Sequence, residues 1–416
     1  MYNILVIIKL LECVFKIKSR NTALLILSVS QFLALTLWFC TNAVIPRLAH
    51  QFDVTGFHVD IISVSLTIGF VVGCLASAFL NLPDVFRAKN VFVASALAGG
   101  LANSLSALAP SFSVVVALRF ITGMFLAGIY PTGMKLAATW FHEGRGFAIG
   151  VIIAALTAGS GMPYLFNICG IPDWRIALNV STALALLGAL MIWAFVDEGP
   201  YGAGVTRFEP RKIVEIMSDE ALRLAYFGYL GHMWELYAMW VWIPIFMRES
   251  FLNAYPGSDP TLFFSAGTFL VFLSGAVTTV VGGKLADAHG RTAFNIIVLA
   301  LSGISSQVIG LFFNRPLIAL AVAIFWGMMV IPDSPQYSSM ITELSEPEYV
   351  GTTLTLQTAV GFMLTVLSIR IIPVFAGRVG WSYGFTILGL GPAIGIISMY
   401  RLRKHPSSRK IASGRR

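Results

Sequence analysis

Charged residues are scarce in this sequence. They make up 12% of its 416 residues, whereas roughly a quarter of the residues in an ordinary soluble domain are charged. Hydrophobic residues make up 57%, and the mean hydropathy is +0.80. A chain of this composition cannot cover a globular surface with charge. The composition excludes a soluble protein and indicates a polytopic helical membrane protein.

Cysteines and catalytic motifs are also scarce. The four cysteines have neither the spacing of metal ligands nor that of a disulfide framework; they are Cys13, Cys40, Cys74 and Cys169. The sequence has no phosphate-binding loop of the form G-x-x-x-x-G-K-S and no H-E-x-x-H zinc motif. These absences exclude an ATP-driven pump formed by this chain alone. We expect no enzymatic activity, no metal and no cofactor.

The basic residues are unevenly distributed, and their distribution accounts for the net charge of +8. They cluster from Lys9 to Arg20, from Arg207 to Lys212 and from Arg401 to Arg416. Cytoplasmic segments of membrane proteins retain Lys and Arg. We therefore expect both termini in the cytoplasm, and no nucleic-acid partner.

Apolar runs follow one another along the chain. They lie at residues 22–48, 56–80, 90–110, 112–141, 146–169, 174–197, 222–251, 262–283, 292–313, 316–341, 349–375 and 380–400. About 20 apolar residues cross a bilayer as a helix, so the runs predict twelve spans. Residues 1–18 are apolar with scattered lysines. Either they form an interfacial helix, or the start codon has been placed too early and they do not belong to the native protein.

A long polar interruption from Asp197 to Arg223 divides the runs into six and six. The predicted organisation is a cytoplasmic segment 1–21, a six-helix bundle 22–197, a central cytoplasmic loop 198–221, a second six-helix bundle 222–400 and a basic cytoplasmic tail 401–416. Residues also repeat between the halves at offsets of 203 to 205; the pairs are Asp84 with Asp287, Pro131 with Pro335 and Gly146 with Gly351. Duplicated halves that face each other across a central site are typical of transporters.

The stretch Gly283 to Thr292 reads GKLADAHGRT and joins two apolar runs. In this position it resembles the loop signature of the major facilitator superfamily, the large class of secondary transporters. The resemblance implies an all-α membrane fold of twelve helices in two pseudo-symmetric six-helix bundles. It also implies a gating motif made of Asp84, Gly283, Asp287, Gly290 and Arg291. The first-half copy has Leu80 and Arg87 in place of the two glycines and keeps the acidic residue.

Two ionisable residues lie inside the seventh run, where charge is expensive and therefore marks functional candidates. Glu235 and His232 are three residues apart and share one helical face with Tyr229 and Trp242. Because a buried carboxylate and an imidazole can exchange protons, the pair is a candidate for proton coupling, with Tyr229 and Trp242 lining the substrate cavity. The alternative is a structural pair that fastens this helix to a neighbour.

Arg119 lies in the fourth run, with Gly123 four positions further on. This arrangement resembles a second signature of the superfamily, often associated with proton-coupled members, except that Thr122 replaces the usual glutamine. A guanidinium is always charged, so it needs a carboxylate or an anionic substrate. Alternatively, backbone carbonyls hold it in a structural role.

Two prolines bracket Asp333 in the tenth run, in the sequence Ile331-Pro-Asp-Ser-Pro-Gln-Tyr337. Because each proline removes a helical hydrogen bond, this backbone must lie beside protein or a wet cavity. Gln336 and Tyr337 are therefore candidates for the cavity lining. Asp333 is a candidate either for proton coupling or for a gate.

The stretch from Ala127 to Gly146 resembles a branch of bacterial facilitators that function as generic permeases. Tyr130 is expected to face inward by analogy with Ser334 and Pro335 in the second-half repeat. Trp38 and Asn42 in the first run are further candidate substrate contacts. Aromatic residues of membrane helices are also often packing or lipid-facing residues, so this alternative stays open.

These patterns together predict a proton-coupled secondary transporter of the bacterial inner membrane that moves a small solute by alternating access. We expect a monomer in the lipid bilayer whose partners are a small-molecule solute and protons. Two alternatives remain: a facilitated-diffusion uniporter, and a transporter-derived sensor that binds its solute without translocating it.

Overall fold

A computed structural model describes residues 19–40, 48, 51–53, 57–169, 173–202 and 211–416. Within these residues the regular elements are helices, without a β-strand. The longer helices are α1 (Arg20–Phe39), α2 (Phe57–Phe79), α3 (Ala88–Ser106), α4 (Phe112–Leu126), α5 (Tyr130–Trp140), α6 (Arg145–Cys169), α7 (Trp174–Phe195), α8 (Glu220–Ala254), α9 (Thr261–His289), α10 (Arg291–Val308), α11 (Pro316–Val330), α12 (Ser334–Leu344), α13 (Val350–Val379) and α14 (Leu390–Lys404).

The helices have the length and surface of membrane spans. Among the described residues, seven stretches are long and apolar enough to cross a bilayer, and two shorter helices are also apolar. Large apolar side chains such as Leu101 and Leu317 are more than half exposed on the helix surfaces. Helices satisfy their own backbone hydrogen bonds, so they can expose such side chains to lipid. This confirms a multi-pass, all-α membrane protein.

The helices follow the apolar runs closely, and the first and last runs show the largest differences at a run end. The last run was predicted at 380–400, but α14 begins at Leu390. Gly380 adopts a positive φ of 75°, and a turn and a 3-10 helix at Thr386–Gly389 precede α14. The first run was predicted to reach residue 48, and α1 ends at Phe39; residues 41–47 lie outside the described part of the chain.

The chain divides into two compact units, the first of which comprises Met1–His142, Pro172–Ile213 and Glu346–Leu356. Within it, α1 packs against α5 and α7, α2 packs against α4, and α3 packs against α4 and α7. Glycines allow the closest approaches: a Cβ on Gly123 would lie 2.9 Å from the backbone nitrogen of Phe70.

The second unit comprises Glu143–Ile171, Val214–Ser345 and Gln357–Arg416. Within it, α6 packs against α9 and α12, and α8 packs against α11, α12 and α14. Small residues bring α6 and α9 together, since a Cβ on Gly150 would lie 3.0 Å from the carbonyl oxygen of Thr279. The division into bundles 22–197 and 222–400 stays a prediction.

Candidate functional site

Glu235 lies in the interior of the second unit. Helix α8 begins after Asp219, whose side chain accepts a hydrogen bond from the nitrogen of Leu222 at 2.8 Å, and it carries Glu235 to a fully buried position. Each carboxylate oxygen accepts one hydrogen bond at 2.8 Å, from the indole of Trp326 and from the hydroxyl of Ser302. Both donors are neutral, so the charge of this carboxylate is solvated but not neutralised.

The partner of His232 is Asp333, with 2.9 Å between Nδ1 and Oδ1. The sequence suggested His232 as the partner of Glu235, but the structure assigns the two residues different partners. They share a face of α8, yet they lie one turn apart: His232 reaches the start of α12, while Glu235 reaches α10 and α11. His232 and Asp333 are both about 1% exposed, so this pair is also shielded from solvent.

Aromatic rings surround His232. Its ring centroid lies 5.9 Å from that of Tyr229 and 6.0 Å from that of Tyr337. Glycines make room for both tyrosines: Gly361 of α13 packs against Tyr229, and a Cβ on Gly228 would lie 2.5 Å from the ring of Tyr337. The structure thus brings three of the predicted site residues, Tyr229, His232 and Tyr337, into one cluster.

Two spans are broken at corresponding places, as the prolines predict for the tenth run. Helix α11 ends at Val330 and α12 begins at Ser334, with Pro335 in its first turn. In the first unit, α4 ends at Leu126 and α5 begins at Tyr130, with Pro131 in its first turn. Proline is tolerated in a first helical turn because its missing N–H has no helical partner there. Tyr130 is buried at the restart of α5.

Arg119 is fully buried in the first unit. Its guanidinium donates to the side-chain oxygen of Asn103 at 2.6 Å and to the backbone carbonyls of Leu37 at 2.8 Å and Trp38 at 3.5 Å. The sequence analysis offered a structural role for Arg119 in which backbone carbonyls hold it. Such contacts are present, and they hold the guanidinium between α1, α3 and α4.

Asp287 caps the N-terminus of α6. Its carboxylate accepts hydrogen bonds from the nitrogens of Gly146 at 3.1 Å and Phe147 at 2.9 Å. It also pairs with Arg291, one turn further along, at 2.8 Å. The first N–H groups of a helix lack helical partners and carry partial positive charge. Asp287 of the predicted gating motif therefore holds a helix N-terminus in the second unit.

Arg291 joins Asp287 to both ends of α12. It donates to Gln336 in the first turn of α12 at 2.8 Å, and to both carboxylate oxygens of Glu343 at 2.8 and 3.1 Å. The two-pronged contact with Glu343 is the strong geometry for a guanidinium. Solvent does not compete with these hydrogen bonds, because the Arg291 side chain is 1% exposed.

Asp84 makes the corresponding contacts in the first unit, at the N-terminus of α13. Its carboxylate accepts hydrogen bonds from the nitrogens of Gly351 at 3.0 Å and Thr352 at 2.6 Å, and from the Thr352 hydroxyl at 2.7 Å. Its cationic partner is Lys135 at 2.6 Å. The acidic residue of the eroded first-half motif thus keeps its capping geometry without the glycines.

The two glycines of the second-half motif differ in role. The sequence suggested a charged loop from Gly283 to Thr292, but α9 continues to His289, and Gly290 alone, with φ of 99°, separates it from α10. Gly283 lies inside α9, where a Cβ would lie 2.5 Å from the carbonyl of Gly146. Gly283 therefore permits close packing against α6, and Gly290 makes the turn.

The remaining candidates for the substrate cavity either pack against neighbouring helices or lie outside the residues that the structure describes. Trp242 donates to the backbone carbonyl of Ile369 at 2.9 Å, which ties α8 to α13. The ring of Trp38 lies 4.8 Å from that of Phe70, edge to face. Asn42 lies outside the described residues.

Sequence reasoning missed several partners of the candidate residues. They are Trp326 and Ser302 beside Glu235, Glu343 beside Arg291, Lys135 beside Asp84, and Asn103 beside Arg119. One signal was available: Lys135 and Glu343 are charges near the ends of the fourth and tenth runs, where an apolar environment requires a partner. No comparable signal marks the tryptophan, the serine or the asparagine.

This arrangement of helices, buried ionisable residues and helix-capping carboxylates is typical of an integral membrane transporter. The family model of the Major Facilitator Superfamily matches residues 27–269 and 225–416, and the chain belongs to that superfamily. Its members carry small solutes across membranes, so this chain is a multi-pass membrane transporter.

Individual proteins resemble the chain more distantly. The chain is 23% identical to the probable sulfoacetate transporter SauU of Cupriavidus necator over 300 residues, and this match covers 68% of each chain. The crystal structure of the human organic anion transporter MFSD10 matches with a TM-score of 0.74 at 13% identity, over 92% of this chain and all of that one. The proton:xylose symporter XylE matches with a TM-score of 0.73 at 15% identity, over 92% and 96% of the two chains. The predicted family and fold are confirmed.

Proposed function

We propose that this chain is a proton-coupled secondary transporter of a small organic anion, and that Glu235 carries the coupled proton. In this proposal residues 22–197 and 222–400 form the moving bundles, and a monomer in the bacterial inner membrane keeps both termini in the cytoplasm. The observation that carries the proposal is the environment of Glu235.

Neutral partners favour a proton-carrying role for Glu235. Among the described residues, Trp326 and Ser302 donate to it, and no cationic side chain lies within ion-pair distance. Keeping an unpaired charge in a membrane interior is costly, so a proton relieves the cost. An arginine in contact with the carboxylate would hold it ionised, whereas these donors let it release and regain the proton.

Arg119 supports an anionic solute. It is fully buried, and its charge persists at all physiological pH values. Two similar proteins are named as transporters of anions: one is a probable sulfoacetate transporter and the other an organic anion transporter. Sulfoacetate and other small organic acids are therefore the first probes, with xylose as the neutral comparison.

Asp84 and Asp287 are the proposed gating residues. Each holds the N-terminus of a helix that begins at an equivalent place in the sequence, α13 and α6. A carboxylate at a helix N-terminus stabilises the contact by about 0.3–1 kcal/mol. Such a contact is strong enough to bias one conformation and weak enough to break in each transport cycle.

The test is uptake of labelled sulfoacetate into proteoliposomes under an imposed proton gradient, for the parent and Glu235→Gln. Glutamine imitates the protonated carboxylate, so we expect the variant to lose accumulation against a gradient and to keep exchange of internal for external solute. Accumulation with normal pH dependence in the variant would contradict the role of Glu235. Gradient-independent equilibration in the parent would favour a uniporter, and binding without any flux would favour a sensor.

A further inference from the structure

Helix α12 is a short, separate element between the buried ionisable residues and the gating motif. Pro332 precedes it and Pro335 lies in its first turn, so the helical hydrogen-bond pattern is interrupted, and a turn bond from the nitrogen of Ser334 to the carbonyl of Ile331 at 2.9 Å joins it to the end of α11. It has 11 residues, and all of those from Ser334 to Thr342 are buried. A short helix whose hydrogen-bond pattern is interrupted at its start can shift as a rigid body.

The first turn of α12 binds two different helices. Asp333, at its N-terminus, contacts His232 of α8 at 2.9 Å. Gln336, three residues further on, accepts a hydrogen bond from Arg291 of α10 at 2.8 Å. A displacement of this turn from His232 therefore also displaces the partner of Arg291.

Arg291 holds α12 at two points on one face. Gln336 and Glu343 are seven residues apart, which is two helical turns, and both bind the same guanidinium. The same guanidinium pairs with Asp287, which caps α6. The contacts thus run without interruption from His232 through α12 to the cap of α6.

We propose that α12 is the coupling element of the transporter and that Gln336 is its positioning residue, which transmits the protonation state of the His232–Asp333 pair to Arg291. The inference rests on the proposed function, because it requires protonation to drive the cycle. The contact between His232 and Asp333 holds the first turn of α12. Loss of that contact when the pair changes its protonation loosens the turn, which weakens the hydrogen bond from Arg291 to Gln336.

Several other ionisable groups of the described residues lie in this region. They are Glu235 and Tyr229 from α8, Tyr337 from α12 and Arg291 from α10. The proposal places the protonation change at the contact between His232 and Asp333, with Glu235 one turn further along α8.

The experiment measures exposure of the C-terminal half of α12 without needing a known solute. Thr342→Cys is introduced into a chain whose four native cysteines are replaced by serine, and the protein is reconstituted in proteoliposomes. The rate of labelling by a maleimide is measured between about pH 6 and about pH 8, where histidine titrates. We expect this rate to depend on pH in the parent and to lose that dependence in Gln336→Leu.

Two further variants separate positioning from folding. Gln336→Glu restores an acceptor for Arg291, so we expect it to recover the pH dependence. Ser339→Ala is the matched control: Ser339 is fully buried one turn further on and bonds only to the carbonyl of Pro335, so we expect parental behaviour.

The outcomes distinguish the two proposals. A pH-dependent parent with an equally pH-dependent Gln336→Leu would overturn the role of α12 and leave proton coupling intact. A parent whose labelling ignores pH, together with normal accumulation by Glu235→Gln, would overturn both. Loss of pH dependence in Ser339→Ala as well would show that any change in α12 has this effect and would overturn the role of Gln336.

Discussion

The indole nitrogen of Trp326 lies 2.8 Å from a carboxylate oxygen of Glu235 and donates a hydrogen bond to it. Both residues are fully buried, so solvent does not share this bond. The same indole packs edge to face on Phe385, with 5.3 Å between ring centroids. Trp326 therefore stabilises the charged form of Glu235 while its ring position is fixed independently by packing.

Trp326→Phe should move the pH dependence of uptake to higher pH. The change removes the donor and keeps an aromatic ring, so the protonated form of Glu235 persists to higher pH. A hydrogen bond to a charged group contributes about 1.5–3 kcal/mol, which corresponds to a shift of about one to two pH units. Uptake rates across a pH series measure the shift. Trp242→Phe, which loses a bond to a backbone carbonyl instead, should leave the pH profile in place.

Lys135→Met should destabilise the first unit, because it leaves the buried carboxylate of Asp84 without its cation. Removal of one member of a buried ion pair costs about 3–5 kcal/mol, although the three hydrogen bonds to Asp84 from Gly351 and Thr352 remain. Thermal unfolding in detergent measures the loss, and adding Asp84→Asn should recover much of it. Lys284→Met, an exposed lysine, is the control; equal losses in the two lysine variants would argue against a buried pair.

The sequence predicted those features that depend on local chemistry. The prolines around Asp333 predicted the break between α11 and α12, because a missing N–H disrupts a helix wherever it occurs. The GKLADAHGRT stretch pointed to a gating motif at the ends of two helices, and its Asp287 holds the N-terminus of α6. The twelve apolar runs predicted the helices because the bilayer fixes their length.

The partners of the buried residues could not be predicted in the same way. Helical periodicity places His232 and Glu235 on one face of α8, but it does not say which neighbouring helix each side chain meets. Asp333 and Trp326 are about 90 residues or more away in sequence, so their positions depend on how α11 and α12 pack. Gly283 was interpreted as a turn residue for a similar reason. A glycine is required there because α6, which is distant in sequence, packs closely against α9.

Asp287→Asn should slow transport and leave the fold largely intact. The variant keeps a side-chain oxygen near the N-terminus of α6 but loses the charge that interacts with the helix dipole and with Arg291. Solvent reaches this side chain partly, so the loss of stability should be about 0.3–1 kcal/mol. Uptake rate and unfolding temperature are measured together. Asp259→Asn, an exposed acid that accepts from the nitrogen of Thr261, should transport normally; a parental rate for Asp287→Asn under all gradients would refute the gating role.

Gly290→Ala should release the C-terminal segment from the gating motif. Ile411 is fully buried, Ala412 donates to Glu343 at 3.1 Å, and Arg415 donates to the carbonyl of Asp287 at 2.8 Å. A Cβ on Gly290 would overlap the carbonyl oxygen of Arg416, and its φ of 99° also disfavours any side chain.

Limited trypsin digestion measures this release. Arg409 and Lys410 are exposed, but the backbone beside them is held by the buried Ile411 and fits a protease more readily once the segment leaves its site. Gly257→Ala is the matched control: it has a similar φ of 81°, but its Cβ would meet nothing within 4 Å. Both glycines have a positive φ, which disfavours any side chain, and the two variants differ in the clash with the C-terminal segment. Faster cleavage in Gly290→Ala alone would show that the segment binds the turn; equal cleavage in the two variants would mean that backbone strain accounts for the effect.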